Sequence, residues 1–368
     1  MGGLTAAAAL KPLGARIDIF DQASRFARIG AGIQMLPNSM KVLQGIGIDH
    51  RLREFAYAPT SHLNRVWDSG EVIIELPMPE DRYGAPYLCM HRGDLHEALL
   101  SAAGDATIHL NKRLIALEQT DERVVLVFED GSRHEADAVI GADGLHSAVR
   151  GLMLGDETPR FSGRVAYRGV FPAELIEGPG ISDSRTKWWG EDRHIVIYYT
   201  TASKSEVYFV TSVPEPAEWL TPESWSAKGD VAELRAAFSG FHSEVRAVLD
   251  ACPDCHKWAI LERDPLPRWS EGRVVLLGDA CHPMTPYMAQ GAATAMEDAA
   301  ILARCLEAAA DFESAFELYE AHRKPRTSRI QAISSANTWM RSPNSGDPDW
   351  LYGYDTWLAP LEEPAPTS

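Results

Sequence analysis

Long apolar runs are what this sequence most plainly lacks. None approaches the roughly 18 residues of a membrane-spanning helix, and the N-terminus has no basic region followed by an apolar core, so no secretory signal is predicted. Positive charge is also scarce. The chain carries 35 Lys and Arg against 52 Asp and Glu, a formal net charge of −17, which argues against the clustered basic surface of a nucleic-acid-binding protein. Five cysteines are scattered over 368 residues, an odd number that suits a reducing cytoplasm better than a disulfide framework. Internal repeats are absent, and the only biased segment is the Pro-rich last ten residues, read as a loose tail. What remains is ordinary: 45% hydrophobic and 24% charged residues, a globular composition, over a length that allows about two domains.

A further absence is local. Residues 2–13 read as a helix start, Gly2-Gly3 followed by Leu4, Ala6–Ala9 and Leu10 and closed by Pro12 and Gly14, and Arg16–Phe20 reads as a strand ending in Asp21. Helix, strand and acidic residue in this order form the second half of a dinucleotide-binding βαβ unit. Such a unit opens with a buried strand and a G-x-G-x-x-G turn. With Gly3 as the last of those glycines, the first strand is missing, which predicts an N-terminal truncation.

Downstream, strands are predicted at 62–67, 71–76 and 87–90, then a helix from His91-Arg92-Gly93-Asp94-Leu95, and short strands over 114–140 around the turn Asp130-Gly131. A strand-rich insert follows at 165–170, 187–189, 195–200 and 206–213. Two amphipathic helices (about 231–241 and 243–249) and a strand at 258–263 come next. The hydrophobic strand 273–277 ends in Gly278-Asp279. Residues 291–341 read as largely helical, with Pro325 expected to break or kink the helix. The expected fold is α/β: a Rossmann-like domain from residues 1–57, 88–160 and 262–345, with an inserted β-sheet substrate domain from 58–87 and 161–261, C-terminal helices, and a tail over 346–368.

Four separated segments carry a more specific signal. They are the Gly-rich helix start with Asp21, then His91-Arg92-Gly93-Asp94-Leu95, then Asp143-Gly144, and finally Gly278-Asp279-Ala280-Cys281-His282-Pro283 running on to Pro286 and Ala289-Gln290-Gly291. In this order and at these distances the chain resembles the single-component FAD-dependent aromatic hydroxylases over essentially its whole length. The stretch Lys187-Trp188-Trp189-Gly190-Glu191-Asp192-Arg193-His194 with Tyr198-Tyr199-Thr200, and Ala336-Asn337-Thr338-Trp339 with Tyr352-Gly353-Tyr354, are similar to the hydroxynicotinate branch of that family. The salicylate hydroxylases are a second near branch.

The resemblance implies FAD as cofactor, NADH or NADPH as electron donor, O2 as oxygen source, and a small electron-rich aromatic substrate. It implies no nucleic-acid or membrane partner and leaves a homodimer open. Carried over residue by residue, Gly3 belongs to the pyrophosphate turn, Asp21 accepts ribose hydroxyls, and Arg92 neutralises the pyrophosphate. Leu114 lies at the adenine edge or in the core. Asp143 lies near the flavin and the visiting nicotinamide, and Asp279 holds the ribityl chain. Gly291 and Ala292 open a helix whose N-terminus faces the flavin, and Pro286 marks the loop over it.

His194 and Tyr198, four apart on a predicted strand, share a face and are the catalytic candidates for substrate orientation and proton transfer. Gln34, Arg185 and Tyr287 stand where the hydroxynicotinate enzymes carry His, Cys and His, so a different substrate is expected. A guanidinium in the cavity wall pairs a carboxylate bidentately. This predicts a small aromatic acid with a hydroxyl or amino group, decarboxylated if oxygen enters at the carboxylate-bearing carbon. No metal is expected, because Cys252-Pro253-Asp254-Cys255 alone supplies half of a zinc site, and His282 is expected to pack near the flavin. The competing reading is a truncated, inactive flavin-fold chain.

Overall fold

Small and apolar residues at helical spacing open the chain as α1 (Gly2–Leu10), buried from Leu4 to Leu10. β1 (Asp18–Phe20), β2 (Gly32–Met35), α2 (Pro37–Gly45) and α3 (Asp49–Phe55) follow. β3 (Ser61–Val66) and β4 (Val72–Pro77) pair antiparallel, α4 (Glu80–Tyr83) is a single turn, and β5 (Leu88–His91) runs directly into α5 (Arg92–Ala103) and then β6 (Thr107–His109). A meander of β7 (Leu114–Gln119), β8 (Val124–Phe128) and β9 (Arg133–Ala136) leads to β10 (Val139–Gly141) and α6 (Ala148–Leu154). The insert comprises β11 (Arg160–Pro172), β12 (Arg185–Trp189), β13 (His194–Tyr199), β14 (Glu206–Pro214), β15 (Lys228–Gly229), α7 (Val231–Ala237), α8 (Ser243–Ala251) and β16 (Cys255–Glu262). Last come β17 (Ser270–Glu271), β18 (Val274–Leu276), α9 (Gly291–Ala308), α10 (Phe312–Ala336) and α11 (Asp349–Tyr352). This computed structural model describes all residues except 29, 179, 217–226, 343–346 and 362–368.

The α/β expectation holds. β1 pairs parallel with β6 and β10 parallel with β18, as strands linked through helices do, and α1 packs against both α5 and α9. The insert forms an eight-stranded sheet in the order β15-β16-β11-β14-β13-β12-β3-β4, in which only β12 and β3 pair parallel. Side chains alternate across it. Trp188, Ile195, Ile197 and Phe209 face a core shared with Phe238, Phe241 and Val245 of the α7–α8 layer. His62, Asn64, Arg185, Lys187, His194, Tyr198, Tyr208 and Ser212 share the other face, as their registers show. One face is therefore scaffold and the other carries chemistry.

Two expectations are corrected. Pro325 does not break the last long helix: α10 runs through it over 25 residues. Arg323 and Arg326 on either side of Pro325 are tied to Glu297 on α9, so tertiary bonds hold the helix where its own ladder loses a donor. Nor is 346–368 a tail over its described part. Leu351 and Tyr352 are buried, Arg329 stacks on Trp350 at 3.8 Å, and the Trp357 indole donates to the Lys41 carbonyl at 3.1 Å. The last seven residues of the expected loose tail lie outside the described residues. Among the described residues no helix is long and apolar enough to cross a membrane.

Candidate active site

Two residues beyond the end of β18 lies Gly278, which has φ +65°, and a Cβ there would lie 2.8 Å from that of Ala295. Only glycine combines that backbone with so close an approach to α9. Asp298 fixes the turn from behind, accepting the Gly278 N–H at 3.1 Å and bonding the His282 ring. Asp279 is thereby presented at the tip. Its side chain is open to solvent while protein encloses its flanks, the situation of a group on the wall of a deep cleft. Burial raises its carboxyl pKa, opposed by His282, Arg92 and the Met1 amine.

Arg92, the first residue of α5, lines the same cleft. Burial lowers its pKa while Asp279 and Tyr208 act to raise it. The Met1 amine lies within electrostatic reach of Arg92, Asp279 and Asp21, and the first residue of α9, Gly291, would place a Cβ 3.8 Å from an Asp279 oxygen. A guanidinium, two carboxylates and the N-terminus of an 18-residue helix thus surround one open groove. This donor set fits FAD: cation and helix terminus suit phosphates, and carboxylates suit ribose and ribityl hydroxyls.

The other expected cofactor residues divide. Ala292 is half-buried beside Gly291. Gly3 lies on α1, where a Cβ would stand 3.3 Å from Ala142. Asp143 itself accepts from Ser147 Oγ and the Val149 N–H, so both oxygens serve the start of α6. Asp21 accepts the Ala23 N–H at 2.8 Å. Leu114 packs, partly buried, with Phe20 against a core cluster containing Phe128 and Trp269. Pro286 opens the turn Pro286–Met288 with its ring exposed, while the next residue, Tyr287, is buried.

A narrow cavity lies over the chemical face of the large sheet. Gln34, Arg185 and Tyr287 line it as expected substrate residues, and His62, Asn64, Lys187 and Tyr352 join them. Gln34 is delivered by β2. There Gly32 packs so closely that a Cβ would lie 2.5 Å from the Tyr208 ring. Tyr87 donates to Gln34 Oε1 at 2.6 Å, and Tyr287 shares a 3.1 Å hydrogen bond with Ser212.

His62 stacks between Tyr87 and Tyr352 with both ring nitrogens unpartnered; Asn64 accepts the Trp189 indole N–H at 3.0 Å but leaves Nδ2 unpartnered; Arg185 Nε has no acceptor. Buried polar atoms are ordinarily satisfied, so four orphaned atoms on three residues of one cavity mark a place for a polar ligand. Burial and the Arg185 charge hold His62 well below the usual histidine pKa.

His194 and Tyr198 share the chemical face but stand at opposite ends of it, behind the cavity wall. His194 meets Tyr287 edge-on at 5.4 Å, while the Tyr198 hydroxyl lies beside Gly32. Burial, then Lys187 and the neighbouring arginines, push His194 well below its ordinary pKa; burial raises that of Tyr198.

Behind the cleft is a second charge cluster. Arg323 bonds Asp298 and Glu297 at 2.7 Å each, Arg326 grips Glu297 with two nitrogens at 2.8 and 2.9 Å, and Asn38 bonds Glu297 and Gln290. Cys281, His282 and Asp298 lie close enough to hold a metal ion, but the Arg323 guanidinium already supplies the positive charge at Asp298. Cys252 and Cys255 are free and buried, and burial pushes their thiols up to about 12 and about 11, so they are inert.

Residues 1–334 match the family model for an FAD binding domain. The chain is 45% identical over 368 residues to 6-hydroxynicotinate 3-monooxygenase of Bordetella bronchiseptica, covering 99% of this chain and 95% of that one. It is 38% identical to 3-amino-4-hydroxybenzoate 2-monooxygenase of Streptomyces platensis, covering 91% and 84%. The crystal structure of Klebsiella pneumoniae HpxO complexed with FAD and uric acid superposes with a TM-score of 0.81 at 28% identity, covering 93% and 87%. With the groove of Arg92, Asp279 and Gly291 beside an occluded polar cavity, these matches agree on one conclusion: the chain belongs to the FAD-binding-domain family of flavoprotein aromatic monooxygenases.

Proposed function

We propose that this protein hydroxylates a small aromatic acid bearing a ring hydroxyl or amino group, a hydroxy- or aminobenzoate or a hydroxypyridine carboxylate, using NAD(P)H and O2. One observation carries the substrate class: the buried Arg185 guanidinium lines the cavity without a carboxylate partner among the described residues. An unpaired buried charge is costly, and the carboxylate of a substrate removes that cost.

FAD, when bound, takes reducing equivalents from the pyridine nucleotide and activates O2 for transfer to the ring. The chain does the rest. Arg92, Asp21, Gly291 and Asp279 hold the cofactor's phosphates and hydroxyls, with Ala292 in the same helix turn. Gly3 and Asp143 shape the backbone of the groove, and Leu114 packs beneath it. Arg185 grips the carboxylate, Gln34 and Tyr287 border the ring, and the Pro286 turn carries Tyr287 over it. His194 and Tyr198 orient these groups from behind. Met288, Trp339 and Met340 exclude water from the reacting ring. Where oxygen enters at the carboxylate-bearing carbon, CO2 is lost.

The unpaired polar set favours this reading over an inactive flavin-fold chain, since an inactive fold has no use for it. All five cysteines are free, in keeping with action in a reducing cytoplasm, and sedimentation would show whether the chain works as a homodimer. The test is NADH and NADPH oxidation by the FAD-loaded protein against a panel of these acids, with product and peroxide measured together. Oxidation coupled to a hydroxylated product is expected. Peroxide alone with every acid would overturn the assignment.

A further inference from the structure

Arg185 and Lys187 lie two residues apart on β12 and project to one side of the sheet, about 7 Å apart by strand rise. Several other buried cations have partners: Lys257 has Glu215 and Glu233, Arg263 has Glu157, Arg323 has Glu297 and Asp298, and Lys41 and Arg150 donate to backbone carbonyls. Lys187 has no carboxylate among the described residues. Its ammonium lies 3.7 Å from the centre of the Trp189 ring and 6.0 Å from that of Tyr287. The polar and charged groups that face it are Arg185 on its own strand, His62 and Asn64 on β3, His194 on β13, Arg164 on β11, Tyr287 and Tyr352 across the cavity, and Arg341 beyond α10. None of these charges favours a second cation. Burial, then Arg185, Arg341 and Arg164, push Lys187 well below the ordinary lysine range. Burial and the neighbouring cations favour the amine form of a lysine so placed, which can take up a proton.

On the reading of this cavity as an aromatic-acid site, we propose that Lys187 is the catalytic base that removes the ring-hydroxyl proton, while Arg185 holds the carboxylate. The O–H bond breaks, its electron pair stays on oxygen, and a new N–H bond forms on the uncharged amine. Phenol and amine become ring oxide and ammonium with no change in total charge. The order of events follows from the same pair. A carboxylate on Arg185 cancels the nearest opposing charge and makes Lys187 more basic, so the proton moves only after the acid is seated. Two side chains two positions apart on one strand face can take up the carboxylate and the hydroxyl of one ring, and the electron-rich oxide is the form of the ring that an electrophilic oxygen attacks. His194 meets these groups through Tyr287 and is a positioning residue.

Titration calorimetry of the FAD-loaded full chain with 3- and 4-hydroxybenzoate, in two buffers of different ionisation enthalpy near neutral pH, counts the protons exchanged. Ultraviolet difference spectra show whether the bound ring is an oxide. 4-Methoxybenzoate, which has no such proton, is the control. Wild type is expected to bind the oxide without releasing a proton. Lys187→Arg, which cannot accept one, is expected to bind the oxide and release about one proton. Lys187→Met is expected to bind the neutral phenol about tenfold more weakly, with methoxybenzoate affinity changed less than about threefold. A neutral phenol bound by wild type, or equal proton release by wild type and Lys187→Arg, overturns the proposal. Failure of both hydroxybenzoates to bind wild type overturns it together with the proposed substrate class.

Discussion

Two clusters of buried charge in this molecule are built on opposite rules. Between α9 and α10, Glu297 and Asp298 meet Arg323 and Arg326 in a balanced network whose bonds reach back to Gly278 and His282. On the sheet face, Arg185 and Lys187 are buried with two uncharged-leaning histidines and no acid among the described residues. Matched charge in a protein interior is scaffold: it fixes a shape and asks nothing of a ligand. Unmatched charge is a demand, met only when something of opposite sign arrives. The difference separates the residues that hold the Asp279 turn from those proposed to select the substrate.

Mutations should expose that difference by moving stability in opposite directions. The largest effect is expected from Arg323→Met, which removes the guanidinium shared by two buried carboxylates, leaving Asp298 with His282 and the Gly278 N–H and Glu297 with Arg326 and Asn38, and should cost about 3–5 kcal/mol in urea unfolding. Arg185→Met should instead leave stability unchanged or raise it by about 1 kcal/mol, while weakening binding of a hydroxylated aromatic acid by about ten- to hundredfold in calorimetry. If Arg185→Met destabilises as Arg323→Met does, the contrast between the clusters is wrong.

Acid titration gives a third test. Burial alone would raise Glu297, but Arg326 and Arg323 outweigh it and bring its pKa from 4.5 down to about 2. A depressed acid stabilises the fold above its unfolded pKa and loses that contribution as pH falls from 4.5 toward 2. Glu297→Gln should flatten this acid limb. Lys187 has the reverse sign. Its fold binds fewer protons than the unfolded chain, so stability relative to Lys187→Met should rise with pH as the unfolded value of 10.5 is approached. The smallest effect is expected at Asp143, which belongs to neither cluster. Asp143→Ala should cost about 1 kcal/mol through the loosened start of α6 and leave flavin affinity unchanged. A large loss of flavin affinity would place its carboxylate on the cofactor instead.

The groove proposed for the cofactor is the more legible of the two sites. Asp21, Arg92, Asp279 and Gly291 each sit at the end of a strand or the start of a helix, and such boundaries are written locally in glycines and turn residues. The cavity was legible only in part, because its wall comes from β3, β12 and the segment around Tyr352, brought together by pairings that no local pattern encodes. Lys187 was nonetheless within reach: once Arg185 is placed in the wall, alternation along the strand puts the residue two positions on beside it. His62 and Asn64 needed the parallel register of β3 with β12, which no sequence pattern supplied. Pro325 and the C-terminal segment were misread for a common reason. Proline preference and end position are weak local rules, overruled here by arginine bonds to α9 and by aromatic and arginine stacking.

The parallel pairing of β3 with β12 also bears on how the molecule is made. Arg185 sits beside His62, so the wall cannot close until a long stretch of chain has looped back, and Tyr352 joins the lining later still. Contacts so distant in sequence are slow to form. During synthesis the earlier segments must wait for nearly the whole polypeptide to emerge, with an unfilled sheet edge exposed to aggregation meanwhile.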